Sequence, residues 1–332
     1  MSDNPDIRHA INTPAETARK TVRRIEQMEK NRHRAMPLHL DRIGNYLAPL
    51  QPGELCGVLA QTHNYKTGFM TMWERMLAAH LHSQGRDNEV IFHIDTENAV
   101  ETLGVHEAAR LSSHSVADLS RGNVRDWAEI IIAADKIADI EIYRIASSLG
   151  RDDVPDLYLS NIYRAIQYAV SGELYGRELK PACIFVDYLQ ALPLDPEVKR
   201  STRDMDKQRR LQVREDVYRL RRMANHFACP VVMGVQAKQK LEWHPGPNMM
   251  IPGIYDGEET SAIAQRIDRY LSLWMPKMTH TVGDFLKHGS VNFTVEENMI
   301  WVKVLKQRGG LPSGRAWKCF VDFHKNEIEP AS

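Results

Sequence analysis

From Leu50 onward, short apolar runs alternate with longer helical patterns along the chain. Apolar runs bounded by polar segments are typical of buried strands. Strands that alternate with helices favour an α/β fold, in which helices cover both faces of a mostly parallel sheet. The predicted strands are Leu55–Ala60, Val90–Ile94, Ile140–Ile145, Ala182–Asp187, Pro230–Val235, Arg269–Trp274, Ile300–Leu305 and Ala316–Asp322.

The first predicted strand leads through a polar loop into Lys66-Thr67 and then into a helical pattern over residues 69–81. A strand, loop and helix in this order can cradle phosphates, because the loop and the helix N-terminus present N–H groups. A lysine here neutralises phosphate charge, and a threonine hydroxyl can ligate Mg²⁺. A second apolar strand ends in Asp187, a carboxylate that can hold the same ion. The predicted nucleotide-binding residues are Gln61, Thr62, His63, Asn64, Tyr65, Lys66 and Thr67.

The loop departs from the usual phosphate-binding pattern, which has glycine at both ends of its four-residue interior. This chain has Ala60 and Tyr65 at those positions. Glycine permits strained dihedral angles and a close approach of the backbone to phosphates, and a bulky residue resists both. Taken alone, the segment is therefore either a nucleotide site or a helix N-terminus with an exposed lysine.

Composition limits the classes of protein to which the chain can belong. Its 332 residues are 43% hydrophobic and 26% charged, with 43 Lys+Arg and 43 Asp+Glu, so any contact with nucleic acid must be local. The four cysteines lack the CxxC spacing of a zinc site, and no histidine pair forms a metal-binding helix motif. We find neither a signal peptide nor a membrane-spanning run, and expect a cytoplasmic protein with no membrane partner.

The N-terminal part of the chain predicts a polar, disordered tail over residues 1–13 and then a helix. Thr13-Pro14-Ala15-Glu16 has the pattern of an N-cap, a first-turn proline and an acidic first turn. The helix extends to about Arg34 with a thin apolar stripe. Such a stripe packs either on the body of its own domain or on a neighbouring subunit.

The order of these segments resembles the RecA-like ATPase domain of DnaB-type replicative helicases. Residues 50–55, Leu-Gln-Pro-Gly-Glu-Leu, resemble the start of the family's first core strand, and residues 184–190, Ile-Phe-Val-Asp-Tyr-Leu-Gln, resemble its second-carboxylate strand. Family members often have alanine at the first loop position, so Tyr65 remains the departure. The resemblance covers residues 45–326 and implies ATP and Mg²⁺ as cofactors. It divides the chain into a tail with a linker or docking helix (1–45), an ATPase domain (46–326) and a C-terminal tail (327–332).

The resemblance also implies catalytic residues. Gln236 follows a strand, as does the glutamine with which the family senses the γ-phosphate; alternatively, its amide caps a turn. Lys306 and Arg308 match the family's Lys-x-Arg-x-Gly turn, which presents cations to the neighbouring subunit's nucleotide; alternatively, they form an ordinary solvated basic turn. The water-activating carboxylate falls on Asp95 against the helicases and on Glu97 against RecA recombinases. We favour Glu97, because its longer side chain reaches an in-line water more readily; alternatively, one of the two carboxylates only caps the following helix.

Basic residues follow two of the predicted strands at the positions of the family's central-channel loops. Cations without base readout suit a single-stranded DNA backbone. Arg209 and Arg210 could instead lie on a solvated helix face. The predicted nucleic-acid contacts are Lys199, Arg200, Arg203, Lys207, Arg209, Arg210, Lys238 and Lys240.

Two hypotheses about function follow from the resemblance. The first is an ATP-driven motor on single-stranded DNA, which works as a homo-oligomer, a hexameric ring, because Arg308 would act between subunits. The second is a nucleotide-gated scaffold on DNA in which Tyr65 slows or abolishes hydrolysis. The sequence lacks the family's separate N-terminal domain, so we expect primase or loader recruitment to fall to other proteins.

Overall fold

The computed structural model describes residues 12–30, 32–149, 155–194, 205–238, 251–258, 262–288, 291–309 and 311–331. The chain divides into two units after Ala35. The helices are α1 (Pro14–Lys30), α2 (Ile43–Tyr46), α3 (Lys66–Ser83), α4 (Val100–Leu111), α5 (Val116–Ser120), α6 (Trp127–Ala138), α7 (Leu159–Val170), α8 (Met205–His226) and α9 (Ala262–Arg266). The strands are β1 (Leu55–Ala60), β2 (Glu89–Asp95), β3 (Ile142–Ile145), β4 (Lys180–Asp187), β5 (Val231–Gln236), β6 (Arg269–Trp274), β7 (Phe285–His288), β8 (Val291–Thr294), β9 (Met299–Gln307), β10 (Ala316–Asp322) and β11 (Glu327–Pro330).

The described residues of the second unit form a nine-stranded sheet in the order β11-β10-β9-β6-β1-β5-β4-β2-β3. Neighbours from β6 to β3 pair in parallel, and β9, β10 and β11 extend the sheet as antiparallel strands on the β6 side. Every residue of β1 and β6 is buried, because helices cover both faces of the parallel part. Burial alternates along β10, which has one covered face. The α/β prediction is confirmed.

Two hydrophobic cores flank the sheet. One contains Phe69, Trp73 and Leu77 of α3 together with apolar residues of β9 and β10. The other is formed by α7, α8 and α9 against the opposite face, with Ile162 and Val217 fully buried. A third, smaller cluster lies where the separate hairpin of β7 and β8 meets β9. Among the described helices, none combines the length and apolar character needed to cross a membrane.

The predicted strands are all present, with ends displaced by two residues or fewer. The N-terminal cap is also as predicted, since the Thr13 hydroxyl accepts from the Glu16 N–H at 3.2 Å and the Thr13 N–H donates to the Glu16 carboxylate at 2.8 Å. In the helix that follows, α1 ends at Lys30, and a 3₁₀ helix over Arg32–Arg34 reaches the predicted end. Residues 1–11 of the predicted tail lie outside the described residues.

Three expectations need correction. The C-terminal tail contains β11, which pairs with β10 through Val321 and Ile328, although its Glu-Ile-Glu-Pro sequence is too short and polar to predict a strand. Residues 36–45 belong with the sheet, since Met36 bridges Leu50 and is 1% exposed. The basic segment over residues 199–210, which we expected to be a central-channel loop, is helical from Met205, where α8 begins, so Arg209 and Arg210 lie on a helix as in the alternative.

Candidate functional site

The carboxyl ends of the parallel strands bring the predicted site residues to one edge of the sheet. Ala60 at the end of β1 is opposite Gln236 at the end of β5. Asp95 at the end of β2 is opposite Asp187 at the end of β4. Ligands of open α/β sheets bind outside this edge, where loops and helix N-termini converge. Side chains from four separate sequence segments therefore meet in one place.

Lys66, Thr67 and Asp187 form a compact cluster at this edge. The Lys66 ammonium lies 3.3 Å from Asp187 Oδ1, and the Thr67 hydroxyl donates to Asp187 Oδ2 at 2.5 Å. Lys66 Nζ also lies 3.5 Å from the centre of the Tyr188 ring. Burial lowers the pKa of Lys66, and the charge of Asp187 opposes this effect. The cluster thus joins a partly desolvated cation to a buried carboxylate.

Gly234 of β5 makes room for this cluster. A Cβ atom at position 234 would lie 2.9 Å from Asp187 Oδ1, 3.0 Å from Lys66 Cδ and 3.1 Å from Tyr188 Cβ. These distances are shorter than ordinary van der Waals contacts, so only glycine fits without a displacement of Lys66 or Asp187. No pattern in the sequence indicated this requirement, because Gly234 lies within an apolar run.

Tyr65 occupies the loop position where glycine is usual, and its backbone is left-handed (φ 65°, ψ 24°). Its ring lies against Gly68, where an added Cβ would be 2.6 Å from ring carbons. The ring meets the Phe323 ring edge to face, with centroids 5.7 Å apart, and its hydroxyl hydrogen-bonds the Asn326 side-chain amide. The Tyr65 ring is therefore accommodated because residue 68 is a glycine and because the turn between β10 and β11 packs against the ring.

The remaining loop residues are tied to neighbouring strands. The Asn64 side chain accepts from the Met275 N–H at 2.7 Å and donates to the Thr62 carbonyl at 3.1 Å, which fixes the loop beside the end of β6. Gln236 Nε2 donates to the Thr62 hydroxyl at 2.7 Å. Gln61 is 5% exposed, and His63 also has a positive φ. A direct contact thus joins the predicted phosphate loop to Gln236.

Asp95 and Glu97 have different surroundings. Asp95 is 1% exposed, and its Oδ1 accepts from the Glu97 N–H at 2.8 Å and the Asn98 N–H at 2.7 Å. Burial works to raise the pKa of Asp95, but its contacts with His93, Asn98 and Glu97 outweigh burial and lower it. Partial burial raises the pKa of Glu97; Lys66 opposes this effect, and Asp187 and Asp95 add to it. Asp95 therefore organises a turn, and Glu97 is left to face the cavity.

A cavity of about 730 Å³ lies in the second unit, at the carboxyl ends of the parallel strands. Its wall combines Lys66, Thr67 and Glu97 with residues for which the sequence predicted no role. These additional residues include Arg144, Tyr188, Phe323 and Asn326. The position of Tyr188 next to Asp187 could have suggested it from the sequence. The other three residues lie in β3 and in the β10–β11 turn, and only the fold brings these elements close to Lys66.

The residues present fit a nucleotide with Mg²⁺. Asp187 Oδ1 is buried and, in the described part of the chain, has the Lys66 ammonium at 3.3 Å but receives no hydrogen bond, so it keeps lone pairs that a cation could use. Among the described residues, no cluster of three or more His, Cys, Asp or Glu side chains could hold a metal alone. Mg²⁺ typically takes one or two carboxylates and completes its ligands with water and phosphate oxygens. Thr67 and Asp187 could supply the protein ligands.

Lys306 and Arg308 lie at the opposite edge of the sheet from Lys66. β9 is antiparallel to β6, and Gln307 is opposite Arg269 at the start of β6. Lys306 Nζ donates to the Ala264 carbonyl at 2.6 Å, and Arg308 donates to the Gln265 carbonyl at 2.6 Å. Neither side chain can reach the Lys66 cluster of its own chain.

The predicted nucleic-acid residues are only partly described. Arg209 of α8 donates to the Leu192 carbonyl at 2.9 Å, whereas Arg210 is exposed on the same helix. Lys238 is exposed, and its ammonium donates to the Tyr255 carbonyl at 3.3 Å. Lys199, Arg200, Arg203 and Lys240 lie outside the described residues, as does the Lys207 side chain.

Comparison with solved structures identifies the class of protein that has this fold. The chain superposes on a solved structure described as an ATPase domain, with a TM-score of 0.70 at 14% identity, over 99% of this chain and 100% of that one. It also superposes on a DnaB-like replicative helicase, a structure described together with its interactions with primase. That match has a TM-score of 0.66 at 14% identity and covers 90% of this chain and 63% of the other. The fold is therefore that of RecA-like ATPase domains.

The family itself follows from a match over most of the sequence. The family model described as DnaB-like helicase C terminal domain matches residues 35–321, and the chain belongs to this family of helicase-type P-loop ATPases. A comparison with curated proteins gave no match. The family resemblance predicted from the ordered motifs is confirmed.

Proposed function

We propose that this chain is an ATP-dependent motor that moves on single-stranded DNA as a ring of identical subunits. The observation that carries the proposal is the cluster of Lys66, Thr67 and Asp187, two of whose members, Lys66 and Thr67, line one cavity together with Glu97. A buried lysine, a hydroxyl beside a carboxylate, and a second carboxylate with a raised pKa are the groups that phosphoryl transfer to water requires.

Each of these residues has a proposed role in hydrolysis. Lys66 and the N–H groups of residues 61–67 bind the phosphates, because the first N–H groups of α3 have no acceptor within the helix. Thr67 and Asp187 hold Mg²⁺, which when bound neutralises charge on the phosphates. Glu97 takes the proton of the attacking water. Its raised pKa improves it as a base, since a base is most effective when its pKa is near the working pH.

We propose that Gln236 couples ATP hydrolysis to the residues that bind DNA. Its side chain contacts Thr62 of the phosphate loop, and two residues later Lys238 leads towards residues 239–250. A change at the phosphates would displace Thr62 and Gln236 together. Lys238 and Arg210, with Lys199, Arg200, Arg203, Lys207, Arg209 and Lys240, are the proposed contacts to the DNA backbone. Sugar and phosphate contacts of this kind carry no sequence preference.

The position of Arg308 supports assembly into a ring, with six subunits as in the family. Because Lys306 and Arg308 lie at the edge of the sheet away from Lys66, they can serve only a nucleotide bound to a neighbouring subunit. A ring brings the two edges of successive subunits together. The apolar residues Val22, Ile25 and Met28 of α1 are exposed and would dock on a neighbour. Primase or a loader, supplied separately, and a cytoplasmic location remain predictions.

Steady-state ATP hydrolysis by the wild type and Lys66→Ala, with and without single-stranded DNA, tests the proposal. Light scattering at the same protein concentrations reports assembly. We expect hydrolysis that DNA stimulates and that falls at least about a hundredfold in Lys66→Ala, because a phosphate-binding cation is lost. Lys180→Ala, which removes an exposed lysine at the start of β4, is the control and should hydrolyse ATP normally. ATP-dependent assembly without hydrolysis would contradict the motor and support the scaffold.

A further inference from the structure

A row of buried ionisable side chains connects α3 with the end of β2, and the proposed hydrolysis does not use it. Glu74 of α3 and His93 of β2 are 0% exposed, and Asp95 is 1% exposed. His93 Nδ1 lies 2.5 Å from Glu74 Oε1, and its Nε2 lies 3.6 Å from Asp95 Oδ2, an ion-pair distance. Two buried carboxylates are tolerated only when a cation or donor pairs with them. His93 lies between them and faces both.

The surroundings of His93 favour its charged form. Burial works against a charged imidazole, but Glu74 and Asp95 outweigh burial and raise the pKa of His93 to about 9. Arg144 of β3, which has the opposite effect on His93, comes within 4.0 Å of Glu74 Oε2 and lines the cavity. Cys183 of β4 is fully buried and near Glu74, and burial keeps it a neutral thiol by raising its pKa. The charges of Arg144, Glu74, His93 and Asp95 thus alternate in sign.

The contacts between Glu74, His93 and Asp95 connect the helix that begins at Lys66 with the turn that carries Glu97. These two parts of the site must keep their relative position for hydrolysis. Glu74 lies two turns after Lys66 on the same helix, about 12 Å along its axis. Asp95, at the other end, accepts from the Glu97 and Asn98 N–H groups and so shapes the turn that carries Glu97. A displacement of Glu97 by about 1 Å can lower a rate by two orders of magnitude.

From this geometry we infer that His93 is a positioning residue, which bridges Glu74 and Asp95 and thereby fixes Glu97 relative to the phosphate loop. The inference rests on the proposed function for the role of Glu97. The fixed turn itself is a property of the fold and can be measured without any hydrolysis.

The test compares His93→Gln with His114→Gln. His114 is also 0% exposed and lies 3.5 Å from a carboxylate, Glu129, but it does not line the cavity. Amide hydrogen exchange at Glu97 and Asn98 reports the turn directly. At saturating ATP, kcat reports Glu97, and the Kd of a non-hydrolysable ATP analogue reports the phosphate loop.

In His93→Gln we expect exchange at Glu97 and Asn98 to rise at least about tenfold, and kcat to fall at least about tenfold with the analogue's Kd little changed. The wild-type kcat should also fall as pH rises through the His93 pKa of about 9, and His93→Gln should lack the part of this fall that is due to His93 and keep the part that is due to Lys66. His114→Gln should lower stability but leave both the exchange and kcat as in the wild type. Glu74→Gln, which keeps His93, repeats the test with a smaller effect if His93→Gln does not fold.

Unchanged exchange at Glu97 and Asn98 in both His93→Gln and Glu74→Gln would overturn the inference. A kcat that stays at the wild-type value in these variants would overturn it as well. If the wild type hydrolyses no ATP but His93→Gln loosens the turn, the positioning role stands and the proposed motor fails. The two proposals can therefore fail separately.

Discussion

At the scale of single residues, burial gives the ionisable groups at the sheet edge their chemistry. Lys66 is 9% exposed and Asp187 is 2% exposed, and each is the nearest counter-charge of the other. Removing one partner of a buried ion pair is more harmful than the net strength of the pair suggests, because an uncompensated charge stays behind. Substitutions around this pair should therefore have larger effects than changes at exposed charges.

Gly234→Ala tests how closely the pair is packed. The new methyl group would lie 3.0 Å or less from Lys66 Cδ and Asp187 Oδ1, so we expect kcat/KM for ATP to fall at least about tenfold while the fold is kept. Gly104→Ala is the matched control, since a Cβ there meets nothing within 4 Å and alanine stabilises a helix by up to about 1 kcal/mol. Equal activity of the two variants would show that the space beside Gly234 is not needed.

Tyr65→Gly tests whether the unusual loop residue obstructs hydrolysis. Because the ring packs against Gly68, Phe323 and Asn326, we expect kcat to change less than about threefold and the melting temperature to fall with the lost packing. Tyr65→Phe keeps the ring and should lose about 1 kcal/mol of unfolding free energy with the hydroxyl's hydrogen bond. A rise in kcat of about tenfold or more in Tyr65→Gly would show that Tyr65 blocks the site.

The pKa of His93 predicts a specific pH dependence of stability. Its value of about 9 in the folded protein exceeds the ordinary 6.5, so its contribution is complete below pH 6.5 and is lost as pH rises through 9. Burial raises the pKa of thiols such as Cys56. These thiols ionise more readily in the unfolded chain, so they also lower stability at alkaline pH. Urea unfolding of the wild type and His93→Gln from about pH 6 to about pH 10 isolates His93 as the difference, which should shrink with pH. A constant difference would contradict the assignment.

At the scale of secondary-structure elements, sequence pattern and tertiary contact contribute differently. The parallel strands are continuous apolar runs and were predicted almost to the residue, since both faces must be buried. Thr13 and Glu16 likewise predicted the start of α1, because a capping box is a local interaction. β11 has one buried apolar residue, Ile328, and acquires strand structure only by pairing with β10.

Ile328→Ala tests the contribution of β11. Ile328 is 3% exposed in the core beneath α3, and its truncation should lower the free energy of unfolding by about 2–5 kcal/mol. Glu329→Ala, at the adjacent exposed position, should change stability by no more than about 0.5 kcal/mol. Chemical denaturation measures both variants. If Ile328→Ala is as stable as the wild type, these residues behave as the tail that the sequence predicted.

At the scale of the whole molecule, the two edges of the sheet have separate tasks. Lys66, Asp187 and Glu97 occupy the edge at the carboxyl ends of the parallel strands, and Arg308 occupies the other. In the proposed ring, a subunit with both edges intact would still require a neighbour to complete its site, so the proposed activity would belong to the assembly. The zero net charge means that local groups of cations would have to provide the proposed DNA contact.

Mixing two inactive variants tests the shared site. Lys66→Ala and Arg308→Ala should each lower kcat, the second by about a thousandfold if its guanidinium stabilises transferring phosphate. In an equimolar mixture that exchanges subunits, about a quarter of the interfaces combine an intact Lys66 with an intact Arg308, so hydrolysis should return. Adding inactive Lys66→Ala to a second Lys66 variant, Lys66→Met, is the control and should restore nothing. No recovery in the exchanging mixture would contradict action between subunits.

The α/β class, the order of the motifs and the family could all be read from the sequence, because apolar periodicity and local loop chemistry are written along the chain. The sequence also indicated Lys66, Thr67 and Asp187, whose residue types suit phosphate and Mg²⁺. How these groups meet depends on the tertiary structure. The space beside Gly234, the accommodation of Tyr65 by the β10–β11 turn, the different surroundings of Asp95 and Glu97, and the buried bridge at His93 all arise from contacts between separate elements of the fold. Such contacts leave no periodic or local pattern, since packing alone brings their members together.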